Sequence, residues 1–160
     1  MKLQHSHKPD NGNGRRPALP DVQTEPIVWK RQRAIDGELL KAATAGNRGK
    51  IMELVESGAR LETMEARFRW TPLICASVEG KVDAVKTLLS AAKKKYSDDK
   101  ESFRAYINQT DATGWNAVMW ASAEKHSEVV TLLRRCGGAG ALIGHSIDSF
   151  YRECSMLRGE

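Results

Sequence analysis

Trp70-Thr71-Pro72-Leu73-Ile74-Cys75-Ala76-Ser77-Val78-Glu79-Gly80, followed by Asp83-Ala84-Val85-Lys86-Thr87-Leu88-Leu89, decides the fold. Pro72 fits the first position of a helix, where its missing N–H leaves no intrahelical bond unmade, and Thr71 is placed to cap the free N–H groups. Small residues at 76 and 77 allow a neighbouring helix to approach closely, and Gly80 stops the first helix. Val85, Leu88 and Leu89 lie on one stripe of a second helix. One such helix pair cannot bury its apolar face alone, so the chain has to supply further copies.

Two further copies are present. Leu39-Leu40-Lys41-Ala42-Ala43-Thr44-Ala45-Gly46 continues through Lys50-Ile51-Met52-Glu53-Leu54-Val55-Glu56-Ser57-Gly58-Ala59. Gly114-Trp115-Asn116-Ala117-Val118-Met119-Trp120-Ala121-Ser122-Ala123-Glu124-Lys125-His126 is followed by Glu128-Val129-Val130-Thr131-Leu132-Leu133 and closed by Gly137. Leu39, Leu73 and Val118 are equivalent, giving steps of 34 and 45 residues. With Thr71-Pro72-Leu73-Ile74-Cys75-Ala76 matching its Thr-Pro-Leu-His-x-Ala pattern except at Ile74, the sequence resembles the ankyrin repeat family, whose unit is a β-turn and two antiparallel helices.

The resemblance implies an all-α, short ankyrin-repeat solenoid of helix-turn-helix units with β-turn fingers. Its repeats fall at about 36–68, 69–110 and 111–138. In the first unit Lys50 and Glu53 stand where apolar residues are usual, leaving Ile51, Leu54 and Val55 as the buried set, which suits a capping repeat with nothing stacked outside it. In the third, Asn116-Ala117 replaces Thr-Pro and Lys125 replaces the glycine. The longer second step reflects an insertion near 93–105. Ala91 to Tyr96 prolong the outer helix there, and Ser97-Asp98-Asp99 open a short helix through Phe103 and Tyr106. Ile147, Phe150, Tyr151 and Cys154 recur at helical spacing behind Ser146, so a C-terminal cap is expected over 139–160.

The 160 residues are 41% hydrophobic and 28% charged, which suits one domain over 36–160 rather than two. Residues 1–25, rich in Gly, Asn and Pro, are expected to be a disordered tail. Their lack of an apolar core argues against a secretory signal, and no stretch is long and apolar enough for membrane insertion. An intracellular protein, cytoplasmic or nuclear, is expected. Three cysteines without paired spacing predict reduced thiols. The net charge of +5 divides unevenly: residues 36–160 hold 18 Lys and Arg against 17 Asp and Glu, whereas Lys30, Arg31 and Arg33 alone carry +3. One basic junction over 26–35 is read as solvated. It argues against nucleic acid as partner, which would draw on a basic face built from many elements.

Catalysis needs a nucleophile with its base, or paired carboxylates, converging in a pocket, and no such constellation is legible. His5 and His7 fall in the tail and His145 in a Gly-rich connection. His126 matches a histidine that braces loops in the resembled family. Gly137-Gly138-Ala139-Gly140 lacks the Lys-Ser/Thr of a phosphate loop. Lys93, Lys94 and Lys95 read as a solvated helix end favoured by the dipole. No metal, cofactor or catalytic residue is expected.

What remains is a surface. In the resembled family the turn tips and first helices form a concave face that holds a protein partner. Carried onto this chain, that face comprises Arg67, Arg69, Trp70, Val78 and Glu79 of the second unit and Thr113, Trp115, Trp120, Ala123 and Glu124 of the third. Tryptophan and arginine are the residues that interfaces favour as anchors. The expectation is a non-catalytic interaction module or adaptor binding another protein. A second reading is a structural subunit of a larger assembly, held by its tail and insertion. A third is a methyl-lysine reader using Trp115 and Trp120, which resemble a partial aromatic cage, although Ala123 stands where that cage has its acid.

Overall fold

The structure, a computed structural model, describes residues 27–139. The expected tail over 1–25 and the C-terminal helix of Ile147, Phe150, Tyr151 and Cys154 lie outside the described residues. Within them the chain forms seven helices and no strand: α1 (Ile27–Ala45), α2 (Arg48–Glu56), α3 (Pro72–Val78), α4 (Val82–Lys95), α5 (Lys100–Ile107), α6 (Ala117–Ala123) and α7 (Ser127–Arg135). Helices α1, α3 and α6 stack on one another as an inner layer, and α2, α4 and α7 stack as an outer one. Each inner helix packs on its own outer partner, so the core lies between the layers as a helical repeat solenoid.

The helix starts follow the residues that the repeat pattern singles out. The Thr71 hydroxyl accepts from the Ile74 N–H at 3.2 Å, with Pro72 directly after it. Asn116 replaces that threonine without loss of function, since its side chain accepts from the Met119 N–H at 3.0 Å. Helix α3 is the centre of the stack, and every one of its residues is buried. Outer helix α4 turns Val85, Leu88, Leu89 and Ala92 inward, and Leu88 is fully buried. Ile51 and Leu54 are the buried pair of α2 with Val55 partly covered, while Lys50 and Glu53 form a solvent-facing ion pair.

The turns between inner and outer helices repeat one conformation with a left-handed residue, Gly46 (φ 75°), Gly80 (φ 64°) and Lys125 (φ 62°). Gly80 is required twice over. A Cβ there would lie 2.5 Å from Nδ1 of His126, whose Nε2 meets the Val78 carbonyl at 3.0 Å and braces the second unit against the third.

The basic stretch at 30–33 keeps Lys30, Arg31 and Arg33 exposed to solvent, but it is helical and continuous with the folded body, not a junction ahead of it. No glycine or proline separates Ile27 from Gly37, and Lys, Arg, Gln and Ala sustain a helix, so α1 runs back through it. Gln32 ties this extension to the body, donating to Asp36 and to the Gly58 carbonyl, each at 3.0 Å. Asp36 is a buried acid at the same joint. It accepts from the Arg60 N–H at 2.9 Å and from the guanidinium at 2.8 and 2.7 Å.

The insertion forms as expected. Helix α4 continues to Lys95, and Asp99 caps α5 by accepting from the Ser102 N–H at 2.9 Å. Tyr106 and Ile107 are buried against the stack, and Tyr96 bonds Glu62 of the first finger. Beyond α7, the chain is stitched back by Asn108, which accepts from the Ala139 N–H at 2.6 Å. Asn116 donates to the Ala139 carbonyl at 2.7 Å.

Candidate protein-interaction face

Two fingers precede α3 and α6. The second is organised by Asp111. One of its carboxylate oxygens accepts from the Thr113 N–H (2.8 Å), the Thr113 hydroxyl (2.6 Å) and the Trp115 N–H (3.0 Å). The other accepts from the indole N–H groups of Trp120 (2.8 Å) and Trp70 (3.2 Å). Burial alone would push the Asp111 carboxyl up, but the bonds from Thr113, Trp115 and Trp120 outweigh it and hold it below the usual carboxylate range. In the first finger Glu65 takes the corresponding place, its carboxylate accepting from the Phe68 N–H and its own N–H donating to the Trp70 carbonyl at 3.0 Å. The fingers join where the Ala112 N–H donates to the Phe68 carbonyl at 3.0 Å.

These bonds set four aromatic rings in a row. Phe68 and Trp70 are 5.5 Å apart between ring centres, Trp70 and Trp120 meet edge to face at 5.3 Å, and Trp120 and Trp115 are tilted at 4.8 Å. The Arg67 guanidinium lies 4.8 Å over the exposed Phe68 ring, extending the row with a cation. Spacings near 5 Å are those of favourable aromatic pairs, so the row is held as a unit.

The three tryptophans named from the sequence therefore do come together, with Arg67, Arg69 and Thr113 exposed beside them. Glu79 is exposed at the end of α3, and Ala123 and Glu124 are partly exposed at the end of α6. Two of the expected contact residues are not on the surface. Val78 is 8% exposed and Trp120 is 9% exposed. Val78 completes the core of α3, and Trp120 is enclosed by Trp70, Trp115 and the Asp111 carboxylate.

Arg69 also has a backbone role: at φ 58° it is left-handed, in the place that Gly114 (φ 85°) takes in the second finger. The methyl-lysine reading finds no room between its two rings. With centres 4.8 Å apart, Trp115 and Trp120 lie in contact, so no methylammonium fits between their faces.

Phe68 and Asp111 are the residues that sequence reading missed. Phe68 stands between the two arginines and aligns with Thr113 at the finger tip, which was the available signal. Asp111 carried part of its signal, since Asp111-Ala112-Thr113-Gly114 reads as a turn whose aspartate bonds the backbone ahead of it, but nothing local predicts that two indoles also converge on it.

Residues 39–143 match the family model of ankyrin repeats, in three copies. The chain belongs to the ankyrin repeat family. Ankyrin repeats are protein-interaction modules and generally not catalytic. The aromatic row of this chain runs across its two fingers and α6. Among solved structures, the chain is similar to one in the crystal structure of the yeast ribosomal protein Rps3 in complex with its chaperone Yar1. The identity is 21%, the match covers 79% of this chain and 88% of that one, and the TM-score is 0.63. At that identity the likeness shows the shared fold. No curated protein matches the chain.

Other chemistry is sparse on the described part of the molecule. Among the described residues no three His, Cys, Asp or Glu side chains gather as a metal site, and no helix is long and apolar enough to cross a membrane. The Cys75 thiol is buried in α3 and pushed up to about 11, chiefly by desolvation, which disfavours its thiolate form at neutral pH.

Proposed function

We propose that this ankyrin-repeat chain is a non-catalytic adaptor that grips one partner protein with the finger and inner-helix face, using Arg67, Phe68, Trp70 and Trp115 as its anchors. The observation that carries this reading is the aromatic row, pre-set by Asp111 and ending in an exposed Phe68 capped by Arg67. A rigid aromatic surface loses little conformational freedom on binding, and aromatic and arginine anchors dominate protein interfaces. A similar fold in a chaperone–ribosomal protein complex supports partner binding as the class of function. Free thiols at Cys75 and Cys136 support an intracellular site of action, in cytoplasm or nucleus.

The structural-subunit reading retains one specific support. Ile27, Val28 and Trp29 are 85, 73 and 56% exposed at the start of α1, an apolar end suited to burial against a neighbour. Affinity capture from cell extract separates the two. The adaptor reading expects the captured partner to be lost with a Phe68→Ala/Trp115→Ala variant and kept with Val28→Ser/Trp29→Ser. The opposite ranking makes α1 the attachment point and removes the adaptor assignment.

A further inference from the structure

Helix α1 begins with an apolar tip. Ile27, Val28 and Trp29 are 85, 73 and 56% exposed, and the exposed cations Lys30, Arg31 and Arg33 follow at once. The helix is tied to the body at Gln32, which donates to the Gly58 carbonyl, and its first buried residue is Asp36. A continuous helix therefore holds the tip on the stack.

The charge at this end is uncompensated. Residues 27–35 hold three cations and no acid, and Asp36, the next acid along, is committed to Arg60 and Gln32. Lys30 and Arg31 make no ion pair or side-chain hydrogen bond with a described residue. Counting the residues ahead of the helix does not restore the balance. Residues 1–35 hold seven Lys and Arg against three Asp and Glu, which is +4 of the chain's +5.

The geometry selects among anionic partners. Successive helix residues are about 100° apart, so three consecutive exposed apolar side chains fan over more than half the circumference. A protein groove covers one stripe of a helix and would leave part of this fan in water. A nucleic acid meets the cations and leaves the apolar turn unmatched. A lipid bilayer takes both. Val28 and Arg31 are about 4.5 Å apart along the helix axis, so an apolar turn sunk to the acyl boundary sets the cations level with the lipid phosphates. Tryptophan is enriched at that boundary.

We propose that the start of α1 is a peripheral attachment point for an anionic phospholipid surface. Ile27, Val28 and Trp29 enter the headgroup boundary, Lys30 and Arg31 pair with lipid phosphates and carboxylates, and Arg33 adds a third cation. The chain lies on such a surface without spanning it, since no described helix is long and apolar enough to cross a membrane. The attachment point is separate from the aromatic face, which stays open to a protein partner.

The test is sedimentation of the full chain with phosphatidylcholine vesicles, prepared with and without phosphatidylserine. Wild type should bind the phosphatidylserine vesicles at least about fivefold better than the neutral ones, and this binding should fall as salt rises. Val28→Ser/Trp29→Ser and Lys30→Gln/Arg31→Gln change exposed side chains only. Each variant, shown by circular dichroism to be folded, should lose at least about fivefold in vesicle binding. Lys93→Gln/Lys94→Gln, which removes the same net charge from the end of α4, should stay within about twofold of wild type, as should Phe68→Ala/Trp115→Ala.

No binding to the charged vesicles, or equal binding to the neutral ones, overturns the proposal. So does an equal loss with Lys93→Gln/Lys94→Gln, which makes net charge the cause, or full binding by Val28→Ser/Trp29→Ser, which leaves the apolar tip unused. Tighter binding to polyuridine RNA than to the charged vesicles, lost with Lys30→Gln/Arg31→Gln, assigns the cations to nucleic acid. A concentration-dependent dimer abolished by Val28→Ser/Trp29→Ser assigns the tip to a second copy. Vesicle binding that appears only after residues 1–26 are removed assigns it to that segment. Each of these three results overturns the proposal as well.

Discussion

At the scale of single residues, Asp111 does most to join fold and function. It is 6% exposed, and its hydrogen bonds hold two tryptophans and its own finger at once. Bonds to a buried charged acceptor contribute about 1.5–3 kcal/mol each when the partner is removed, though they do not add. Asp111→Asn is therefore expected to lower stability by about 2–3 kcal/mol, read by urea denaturation. The folded carboxyl titrates below its ordinary value of about 3.9, so its stabilisation is fully present above that pH and disappears as pH falls through the folded value. The wild-type melting midpoint should thus drop below about pH 4, and Asp111→Asn should start lower and drop less. Equal slopes would show that Asp111 is not a linked group. Glu62, where burial opposes bonds from Lys95 and Tyr96 that prevail, and the exposed Asp99 supply the slope that remains.

Lys125 gives a test of opposite sign. It occupies a left-handed position that Gly46 and Gly80 fill in the other units. Lys125→Gly should raise stability by about 1 kcal/mol, because glycine carries no Cβ penalty there. A lower melting midpoint would mean that the lysine side chain contributes more than its backbone strain costs.

At the scale of elements, helix starts and apolar stripes were legible because both are local. Thr71-Pro72, Asn116 and Asp99 announce α3, α6 and α5 by residue type alone, and Val85, Leu88 and Leu89 announce the buried side of α4 by spacing. Leu88 is fully buried between the layers, so Leu88→Ala should cost about 2–5 kcal/mol. An unchanged melt would contradict the register. The backward extension of α1 carried only the weak signal of helix-forming residues without glycine or proline, since its charged residues Lys30, Arg31 and Arg33 are exposed and form no apolar stripe. Its anchor is instead a long-range bond from Gln32 to the Gly58 carbonyl. Val78 and Trp120 escaped for the related reason that family positions say which way a residue usually points, while burial depends on what the neighbouring finger covers.

At the scale of the molecule, a stack of three units has few interfaces over which to spread a loss, so damage to α3 or α4 should unfold the whole rather than one repeat. The same shortness brings the fingers close enough for a single aromatic row to run across two of them. If the row is the interface we propose, its order before a partner arrives places the energetic burden of recognition on a few side chains. The fold could be read from the repeat alone, and so could the face that we propose as the site. The ordering of the site could not, because Asp111 assembles it from residues far apart in the chain.

The most direct measurement is the affinity of the captured partner, by titration calorimetry, for wild type and for a Phe68→Ala/Trp115→Ala variant whose circular-dichroism melt stays cooperative. Loss of two aromatic anchors should weaken binding by at least about 1.4 kcal/mol, a factor of ten, while Lys93→Gln leaves affinity within about twofold. An unchanged affinity in the folded aromatic variant would contradict the assignment of this face.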